Sequence, residues 1–303
     1  MRTRRLGRTG LDVSEIGFGG APAGLTNYLG TWDAVSDAAA EQIIRTVRRA
    51  AELGVTYFDT APGYGHGLSE TMLGRALQGR RAGRTIATKV TGDDAAAVRR
   101  SIEASLRRLQ IEQIDVLQYH GGWYTDEQVQ QILKPGGALV GMQQARDEGL
   151  VRFIGFTTEG ANGPASTLLQ TDAFDVIQLC YNLIFQHPYD PSRRAGLMYE
   201  AADRNMGIIT MRSLTSGTFQ RWLQALDPGV EQRIDLPRVL LSFVLSNPLV
   251  SVALVGMRSP AEAEANVAAS LDDQYRMDLD QLHERYVEPT VHGNERRPAG
   301  QPD

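Results

Sequence analysis

Eight short apolar runs recur along the chain, and stretches with helical periodicity separate them. Most of the runs are nearly continuous in apolar residues rather than alternating, as expected of parallel strands that are buried on both faces. The runs cover residues 14–20, 55–59, 85–90, 114–120, 151–156, 175–180, 207–211 and 250–256. We therefore expect eight parallel strands in one sheet.

Two of the intervening stretches show the helical pattern most clearly. In residues 39–54, AAEQIIRTVRRAAELG, the apolar residues share one face and Gly54 suits the C-terminal cap. Residues 93–110 repeat the pattern, with Asp93 or Asp94 as the N-terminal cap. Eight strands that alternate with helices predict an α/β fold of the (β/α)8 (TIM) barrel type.

An open doubly wound sheet is the alternative architecture. Such a sheet usually carries a GxGxxG fingerprint after its first strand, and here that place reads GFGGAP, with Pro22 in the position of the third glycine. The dinucleotide-binding fingerprint is therefore absent. The opening stretch RRLGRTGLDVSE predicts an N-terminal β-hairpin around Thr9 and Gly10 that closes the bottom of the barrel.

The remaining segments set the predicted domain limits. Residues 22–38 and 213–234 are long connections, of the kind that form lids or binding loops. We expect one catalytic barrel domain over residues 1–290. The polar, Pro- and Gly-rich residues 291–303 are expected to form a mobile tail.

Composition narrows the functional class. The chain has 303 residues, 42% of them hydrophobic and 22% charged, with a formal charge of −5, which disfavours a nucleic-acid partner. The single cysteine, Cys180, lies in an apolar run and is expected to be a small buried residue. The chain shows no apolar stretch of the roughly 20 residues that cross a bilayer, and its first residues lack the apolar core of a signal peptide. We expect a cytoplasmic protein with no membrane partner and no metal site; the oligomeric state cannot be read from the sequence.

Four ionisable residues occupy the ends of predicted strands or the loops that follow them. Asp59, Lys89 and His120 end the second, third and fourth runs, and Tyr64 lies between two glycines in the loop after Asp59. The carboxyl ends of barrel strands meet at one face, so these side chains are expected to converge there.

The chemistry of the four residues is complementary. A free tyrosine has a pKa of about 10, and a nearby lysine cation favours the phenolate. Asp59 would keep Lys89 charged, so Asp59, Lys89 and Tyr64 can form a proton relay. His120 can donate a hydrogen bond to a carbonyl oxygen. Because no side chain is an evident nucleophile for that carbonyl, a bound hydride donor is the expected partner.

At these residues the chain resembles the aldo-keto reductase superfamily, barrel enzymes that use a nicotinamide cofactor without a Rossmann domain. The resemblance covers roughly residues 5–270 and rests on LGRTGLDVSEIGFGG, FDTAPGYGHGLSETMLGRAL, ATKV, LQYH, VRFIGFTT and GMRSPAEAEANV. It implies that Tyr64 is the general acid or base, that Lys89 and Asp59 tune it, and that His120 orients the carbonyl.

The same resemblance implies a set of cofactor contacts. Thr157, Thr158 and Gln178 would contact the carboxamide. Met211 would stack on the nicotinamide ring, and Arg212 and Leu214 lie where the family pattern usually reads Ser-Pro-Leu. The adenosine end would be held by Arg258, Ser259, Glu262 and Asn266. Arg258 suits a 2′-phosphate whereas Glu262 would repel it, so NADP is favoured and NAD is the alternative.

Several of these residues have a purely structural alternative. Ser259 and Glu262 match a helix capping box, and Met211 is also consistent with ordinary core. Trp32, Trp123 and Tyr124 are predicted either to line a substrate pocket or to pack their own loops.

The expected function is NAD(P)H-dependent reduction of a small aldehyde or ketone to an alcohol, with a tyrosine as proton donor. An NAD-dependent sugar (aldose) dehydrogenase on the same fold is the nearer alternative, because GYGHGLSE also resembles that branch and Glu262 suits NAD. A cofactor-sensing regulatory subunit without significant turnover is the alternative of another class, since fold alone does not establish catalysis.

Overall fold

Parallel strands close into a barrel in the computed structural model, which describes residues 1–279 and 281. All eight predicted runs are strands of this barrel. Their bounds are Ile16–Gly19 (β3), Tyr57–Asp59 (β4), Thr85–Val90 (β5), Ile114–Tyr119 (β6), Val151–Thr158 (β7), Val176–Cys180 (β8), Gly207–Met211 (β9) and Val252–Gly256 (β10). Each strand pairs with the next along the chain, and β10 pairs with both β9 and β3. The predicted (β/α)8 barrel is confirmed.

Helices follow the strands and cover the outside of the barrel. Within the described residues the α-helices are Ala21–Gly24 (α1), Asp37–Glu52 (α2), Leu68–Leu77 (α3), Ala95–Leu109 (α4), Asp126–Leu133 (α5), Ala138–Asp147 (α6), Gly163–Gln170 (α7), Leu197–Asp203 (α8), Thr218–Leu226 (α9), Leu236–Ser246 (α10) and Pro260–Leu271 (α11). Asp94, not Asp93, caps α4, because its carboxylate accepts a hydrogen bond from the amide of Ala97 at 2.7 Å.

The N-terminal hairpin closes the bottom of the barrel, as predicted. Thr3–Arg5 (β1) pairs antiparallel with Asp12–Ser14 (β2), and a short 3₁₀ segment at Gly7–Thr9 connects them. Leu6 and Val13 are fully buried and pack against the lowest side chains inside the barrel. The hairpin therefore seals the core from below.

Four strands place two successive layers of side chains inside the barrel. Side chains of a strand alternate between its two faces, so residues two positions apart point the same way. The lower layer consists of Tyr57, Ala87, Val116 and Val176. The upper layer, two residues further along the same strands, consists of Asp59, Lys89, Gln118 and Gln178. All eight residues are buried, but only the upper layer carries charged and amide groups.

Some expectations lie beyond the described residues. The predicted tail, residues 291–303, lies wholly outside them. Residues 280 and 282–290 of the predicted domain also lie outside them. The single domain over residues 1–290 stays a prediction. Among the described residues, every helix is too short or too polar to cross a membrane.

Candidate active site

A cavity of about 580 Å³ opens at the carboxyl ends of the barrel strands. Asp59, Lys89 and Gln178 of the upper layer form its floor, and its sides come from the loops after β3, β4, β6, β7, β9 and β10. The sequence-predicted residues that line it are Asp59, Tyr64, Lys89, His120, Thr157, Gln178, Met211, Arg212, Leu214, Arg258, Glu262 and Asn266. Thus groups predicted for catalysis and groups predicted for cofactor binding share one cavity.

Asp59 and Lys89 form a buried ion pair on the cavity floor. The Nζ atom of Lys89 lies 2.6 and 2.8 Å from the two carboxylate oxygens of Asp59, and it also donates to the carbonyl oxygen of Thr60 at 2.8 Å. Burial by itself lowers the pKa of Lys89, but the Asp59 carboxylate and the Tyr64 oxygen outweigh it, so the pKa is raised above its ordinary value. Lys89 therefore keeps its charge.

Tyr64 is held in a tight loop between β4 and α3. Gly65 has a φ of +69°, which favours glycine, and a Cβ there would lie 2.2 Å from the carbonyl oxygen of Gly24. The Tyr64 carbonyl accepts a hydrogen bond from the amide of Ser69 at 3.2 Å. The loop thus packs directly on the end of α1, and glycine is required for that close approach.

The Tyr64 ring lies between Lys89 and His120. The Nζ atom of Lys89 is 4.9 Å from the ring centroid, and the ring of His120 meets it edge to face at 5.8 Å between centroids. Burial raises the pKa of Tyr64 and outweighs the opposing effect of the Lys89 cation. The lysine was expected to bring this pKa down; burial reverses the net direction and keeps Tyr64 a neutral phenol.

His120 is also neutral in this environment. Burial and then the nearby Lys89 cation lower the pKa of His120 to about 3. A neutral imidazole carries one N–H donor and one acceptor, so it can still donate a hydrogen bond to a carbonyl oxygen. Tyr64 and His120 thus present two uncharged donors beside a buried cation.

Gln118 contacts two of these residues from beneath the cavity, and the sequence reasoning missed it. Its Nε2 atom donates to Asp59 Oδ2 at 3.3 Å and to Gln178 Oε1 at 3.0 Å. The signal was available, because Gln118 is a polar residue within an apolar strand and lies two positions before His120. This spacing puts both side chains on the inner face of the barrel.

The two threonines after the fifth predicted strand differ in position. Thr157 lines the cavity, and its hydroxyl donates to the carbonyl oxygen of Gly121 at 2.7 Å. Thr158 does not line the cavity. Its hydroxyl donates to the carbonyl oxygen of Gly160 at 2.6 Å and lies 3.1 Å from that of Gly122, so it stabilises the loop after β7 instead. The difference follows from strand alternation, which turns consecutive side chains to opposite faces.

The loop after β9 contributes Arg212 and Leu214 to the cavity wall. Arg212 has a φ of +57°. Its carbonyl oxygen accepts a hydrogen bond from the side-chain Nδ2 of the buried Asn182 at 3.0 Å. Its guanidinium forms an ion pair with Glu159, which also lines the cavity. Neither Asn182 nor Glu159 was predicted, because both contacts join segments that are distant along the chain.

The start of α11 forms the other end of the cavity. The side chain of Ser259 accepts a hydrogen bond from the amide of Glu262 at 3.2 Å, as its capping role predicts, and Ser259 itself does not line the cavity. The carboxylate of Glu262 accepts from the amide of Arg258 at 2.6 Å rather than from that of Ser259. The guanidinium of Arg258 donates to the carbonyl oxygens of Pro22 and Tyr28.

The three aromatic residues predicted for a substrate pocket do not line this cavity. Tyr124 is buried in the core, where its hydroxyl donates to the carbonyl oxygen of Thr157 at 2.9 Å. Trp123 is 64% exposed and stacks on His187. Trp32 packs beneath the Arg258 guanidinium and donates from its Nε1 to the carbonyl oxygen of Ala23 at 3.2 Å. Tyr124 and Trp32 thus have packing contacts within the protein, and a place for them in a substrate pocket stays a prediction.

Comparison with known proteins identifies the family of the chain. The model of the aldo/keto reductase family matches residues 15–284. The chain is 32% identical to L-galactose dehydrogenase of Arabidopsis thaliana over 93% of this chain and 92% of that protein. It is 28% identical to the aldo-keto reductase YhdN of Bacillus subtilis over 85% of each chain.

Solved structures share the fold. The holo form of an aldo-keto reductase from Bacillus halodurans superposes with a TM-score of 0.72 at 24% identity, covering 93% of this chain and 96% of that one. An aldo/keto reductase from Klebsiella pneumoniae, solved with NADP and acetate, superposes with a TM-score of 0.70 at 23% identity, covering 94% and 95%. With the family match over most of its length, the chain belongs to the aldo/keto reductase family and is an oxidoreductase of that family.

Proposed function

We propose that the protein reduces an aldehyde or ketone to an alcohol with NADPH, and that Tyr64 is the proton donor. The observation that carries the proposal is the convergence of Tyr64, Lys89, Asp59 and His120 at the floor of one cavity. None of these residues is unusual alone, but together they provide a neutral acid, a fixed cation and a second hydrogen-bond donor at one point.

The cavity has the features that a nicotinamide cofactor requires. It extends from the tetrad to the start of α11, and about 580 Å³ is within the range of sites for molecules of this kind. Asn266 lines it and is 8% exposed, so a polar side-chain amide faces the cavity from a nearly buried position. Gln178 and Met211 would hold the nicotinamide end, and Arg258 and Asn266 the adenosine end. In that position, a reduced nicotinamide would supply the hydride that the carbonyl carbon needs.

The side chains at the floor handle the carbonyl oxygen. The neutral His120 donates a hydrogen bond that orients it, and the Tyr64 phenol gives it a proton as negative charge develops. The charge of Lys89 stabilises the resulting phenolate, and Asp59 holds Lys89 in place through two hydrogen bonds. The reverse oxidation uses the same groups in the opposite direction.

We favour NADP over NAD because the Arg258 guanidinium lies at the adenosine end of the cavity, where it can pair with a 2′-phosphate. The carbonyl oxygens of Pro22 and Tyr28 already engage this guanidinium, so a phosphate would have to compete with them or join them. Glu262 opposes a phosphate by charge, although its carboxylate is partly occupied by the amide of Arg258.

A sugar dehydrogenase is the second candidate. The 32% identity to a protein named L-galactose dehydrogenase over nearly the whole chain favours it, and a carboxylate at Glu262 is compatible with NAD. The same tetrad would then remove a proton from a sugar hydroxyl as the hydride leaves for NAD⁺.

The test measures both directions on the wild-type protein. Oxidation of NADPH and of NADH is followed with a reactive aromatic aldehyde, and reduction of NAD⁺ and NADP⁺ is followed with L-galactose. Turnover of the aldehyde with NADPH as the better cofactor supports the proposal. Turnover of the sugar with NAD⁺ and none of the aldehyde would establish the second candidate instead.

The remaining outcome concerns the regulatory alternative. Tight binding of NADP⁺ with no turnover of any of a broad panel of carbonyls would contradict the proposed reaction and would favour a cofactor-sensing role. Loss of turnover in Tyr64→Phe with unchanged cofactor binding would support the assignment of the proton donor.

A further inference from the structure

We propose that Gln118 is a positioning residue that links the Asp59 carboxylate to the Gln178 amide and so fixes which end of that amide faces the cofactor. This inference rests on the proposed function, because it concerns the same cofactor site.

Gln118 lies between the ion pair and the cofactor wall. It is 0% exposed, on the inner face of β6, in the upper layer with Asp59, Lys89 and Gln178. Its Nε2 atom is within 3.3 Å of Asp59 Oδ2 and 3.0 Å of Gln178 Oε1. One amide group therefore contacts both the residue that orients Lys89 and the residue predicted to contact the carboxamide.

The charge of Asp59 determines how this amide is oriented. An ionised carboxylate only accepts hydrogen bonds, so it selects the NH₂ end of Gln118 and repels the oxygen end. Once Nε2 faces Asp59, its second N–H is available for the oxygen of Gln178. The orientation of Gln118 thus follows from an ionic group rather than from packing alone.

The orientation of Gln178 follows in turn. Because its Oε1 accepts from Gln118, its own NH₂ group points toward the cavity wall, where Nε2 lies 3.8 Å from the sulfur of Met211. A thioether is a weak acceptor, so a carbonyl oxygen is a better partner for this donor. Gln178 is therefore set to donate to the carboxamide oxygen of the nicotinamide.

The arrangement leaves one buried polar atom unpaired. Within the described residues, Gln118 Oε1 has no hydrogen-bond partner. Reversing the Gln118 amide would leave both its own Oε1 and Gln178 Oε1 without a donor. It would also place Gln118 Oε1 against the Asp59 carboxylate. A buried amide that leaves its oxygen unpaired in order to donate twice fits a role in orienting its neighbours.

The test compares two ligands in two variants. NADP⁺ and 2′-phospho-ADP-ribose, which lacks the nicotinamide, are titrated into wild-type protein, Gln118→Leu and Gln118→Met, with tryptophan fluorescence as the readout. We expect the Kd of NADP⁺ to rise about tenfold, the effect of one oriented hydrogen bond, whereas the Kd of the fragment stays within about twofold. A general loss of structure would raise the Kd of both ligands by the same factor.

Coupling to Gln178 supplies the control. Gln178→Leu should raise the Kd of NADP⁺ by a similar factor. The double variant Gln118→Leu with Gln178→Leu should bind NADP⁺ no more weakly than Gln178→Leu alone, since both changes remove the hydrogen bond from Gln178 to the carboxamide. Additive losses, an unchanged ratio of the two Kd values, or unfolding of both Gln118 variants would overturn the role of Gln118. Wild-type protein that binds neither NADP⁺ nor NAD⁺ would instead refute the proposed function itself, and this inference with it.

Discussion

The lower and upper layers of the barrel interior lie on the same four strands, two residues apart. The lower layer, Tyr57, Ala87, Val116 and Val176, packs against the hairpin that closes the barrel. The upper layer, Asp59, Lys89, Gln118 and Gln178, is equally buried but consists of hydrogen-bonded and ionic groups. The difference shows how one strand pattern supplies stability at one end and chemistry at the other.

The two layers also differ in what removal of a group should do. An apolar side chain in the lower layer contributes mainly through packing, so its loss reduces stability and leaves the cavity unchanged. A group in the upper layer is partnered inside the core, and its loss leaves a neighbour unpaired. Substitutions in the two layers can therefore test whether stability and activity separate as the geometry indicates.

Lys89→Met should have the largest effect on stability. It leaves the buried Asp59 carboxylate without its cation, which typically costs about 3–5 kcal/mol. Urea unfolding measures the loss. The double variant Asp59→Asn with Lys89→Met should recover much of the stability but none of the activity, and a cost well under about 1 kcal/mol for the single variant would show that the pair is not coupled as the distances imply.

Val116→Ala tests the lower layer. It removes two methyl groups from a fully buried site, and we expect a loss of about 2 kcal/mol in the free energy of unfolding. Turnover at a temperature where the protein stays folded should remain within about twofold of wild type. A large fall in turnover without unfolding would mean that the lower layer shapes the active site directly.

His120 should make stability depend on pH. Its folded pKa of about 3 lies below the unfolded value of about 6.5, so the unfolded state binds more protons between these values. The free energy of unfolding should therefore fall as the pH drops from about 6.5 toward about 3. The upper limit is about 1.4 kcal/mol per pH unit, and solvent screening of the half-buried His120 reduces the loss below that limit. Urea unfolding of wild type and His120→Asn at several pH values isolates this contribution, and equal slopes in the two proteins would contradict it.

Glu262→Gln should have the smallest effect. Removing the carboxylate at the adenosine end should tighten NADPH binding by about threefold, as expected for a charge interaction near the surface. NADH binding should stay the same, because NADH lacks the 2′-phosphate. If the affinities for NADPH and NADH change equally, the role of Glu262 is confined to its hydrogen bond with the amide of Arg258.

Much of the fold was readable because its causes are local. The eight apolar runs became strands since their lengths and composition suit burial on both faces, and the residues at their ends converged because parallel strands end together. Strand alternation could also have identified Gln118, since it shares the inner face with Val116.

The contacts that the sequence did not predict depend on tertiary structure. Trp123 and Tyr124 are adjacent and chemically similar, but Tyr124 is buried against β7 and Trp123 is exposed. The engagement of Arg258 by carbonyl groups of Pro22 and Tyr28 joins segments more than 200 residues apart. Local pattern carries no information on either outcome.

The claim that Tyr64 is the proton donor is tested most directly by making the same substitution in the lower layer and beside the upper layer. Tyr57→Phe removes a buried hydroxyl that has no hydrogen-bond partner within the described residues, whereas Tyr64→Phe removes the proposed proton donor. Single-turnover oxidation of bound NADPH by an aromatic aldehyde should slow by about 10²–10⁴-fold in Tyr64→Phe and stay within about twofold of wild type in Tyr57→Phe. If Tyr64→Phe reacts as fast as wild type, the proton comes from another group and the proposed mechanism is wrong.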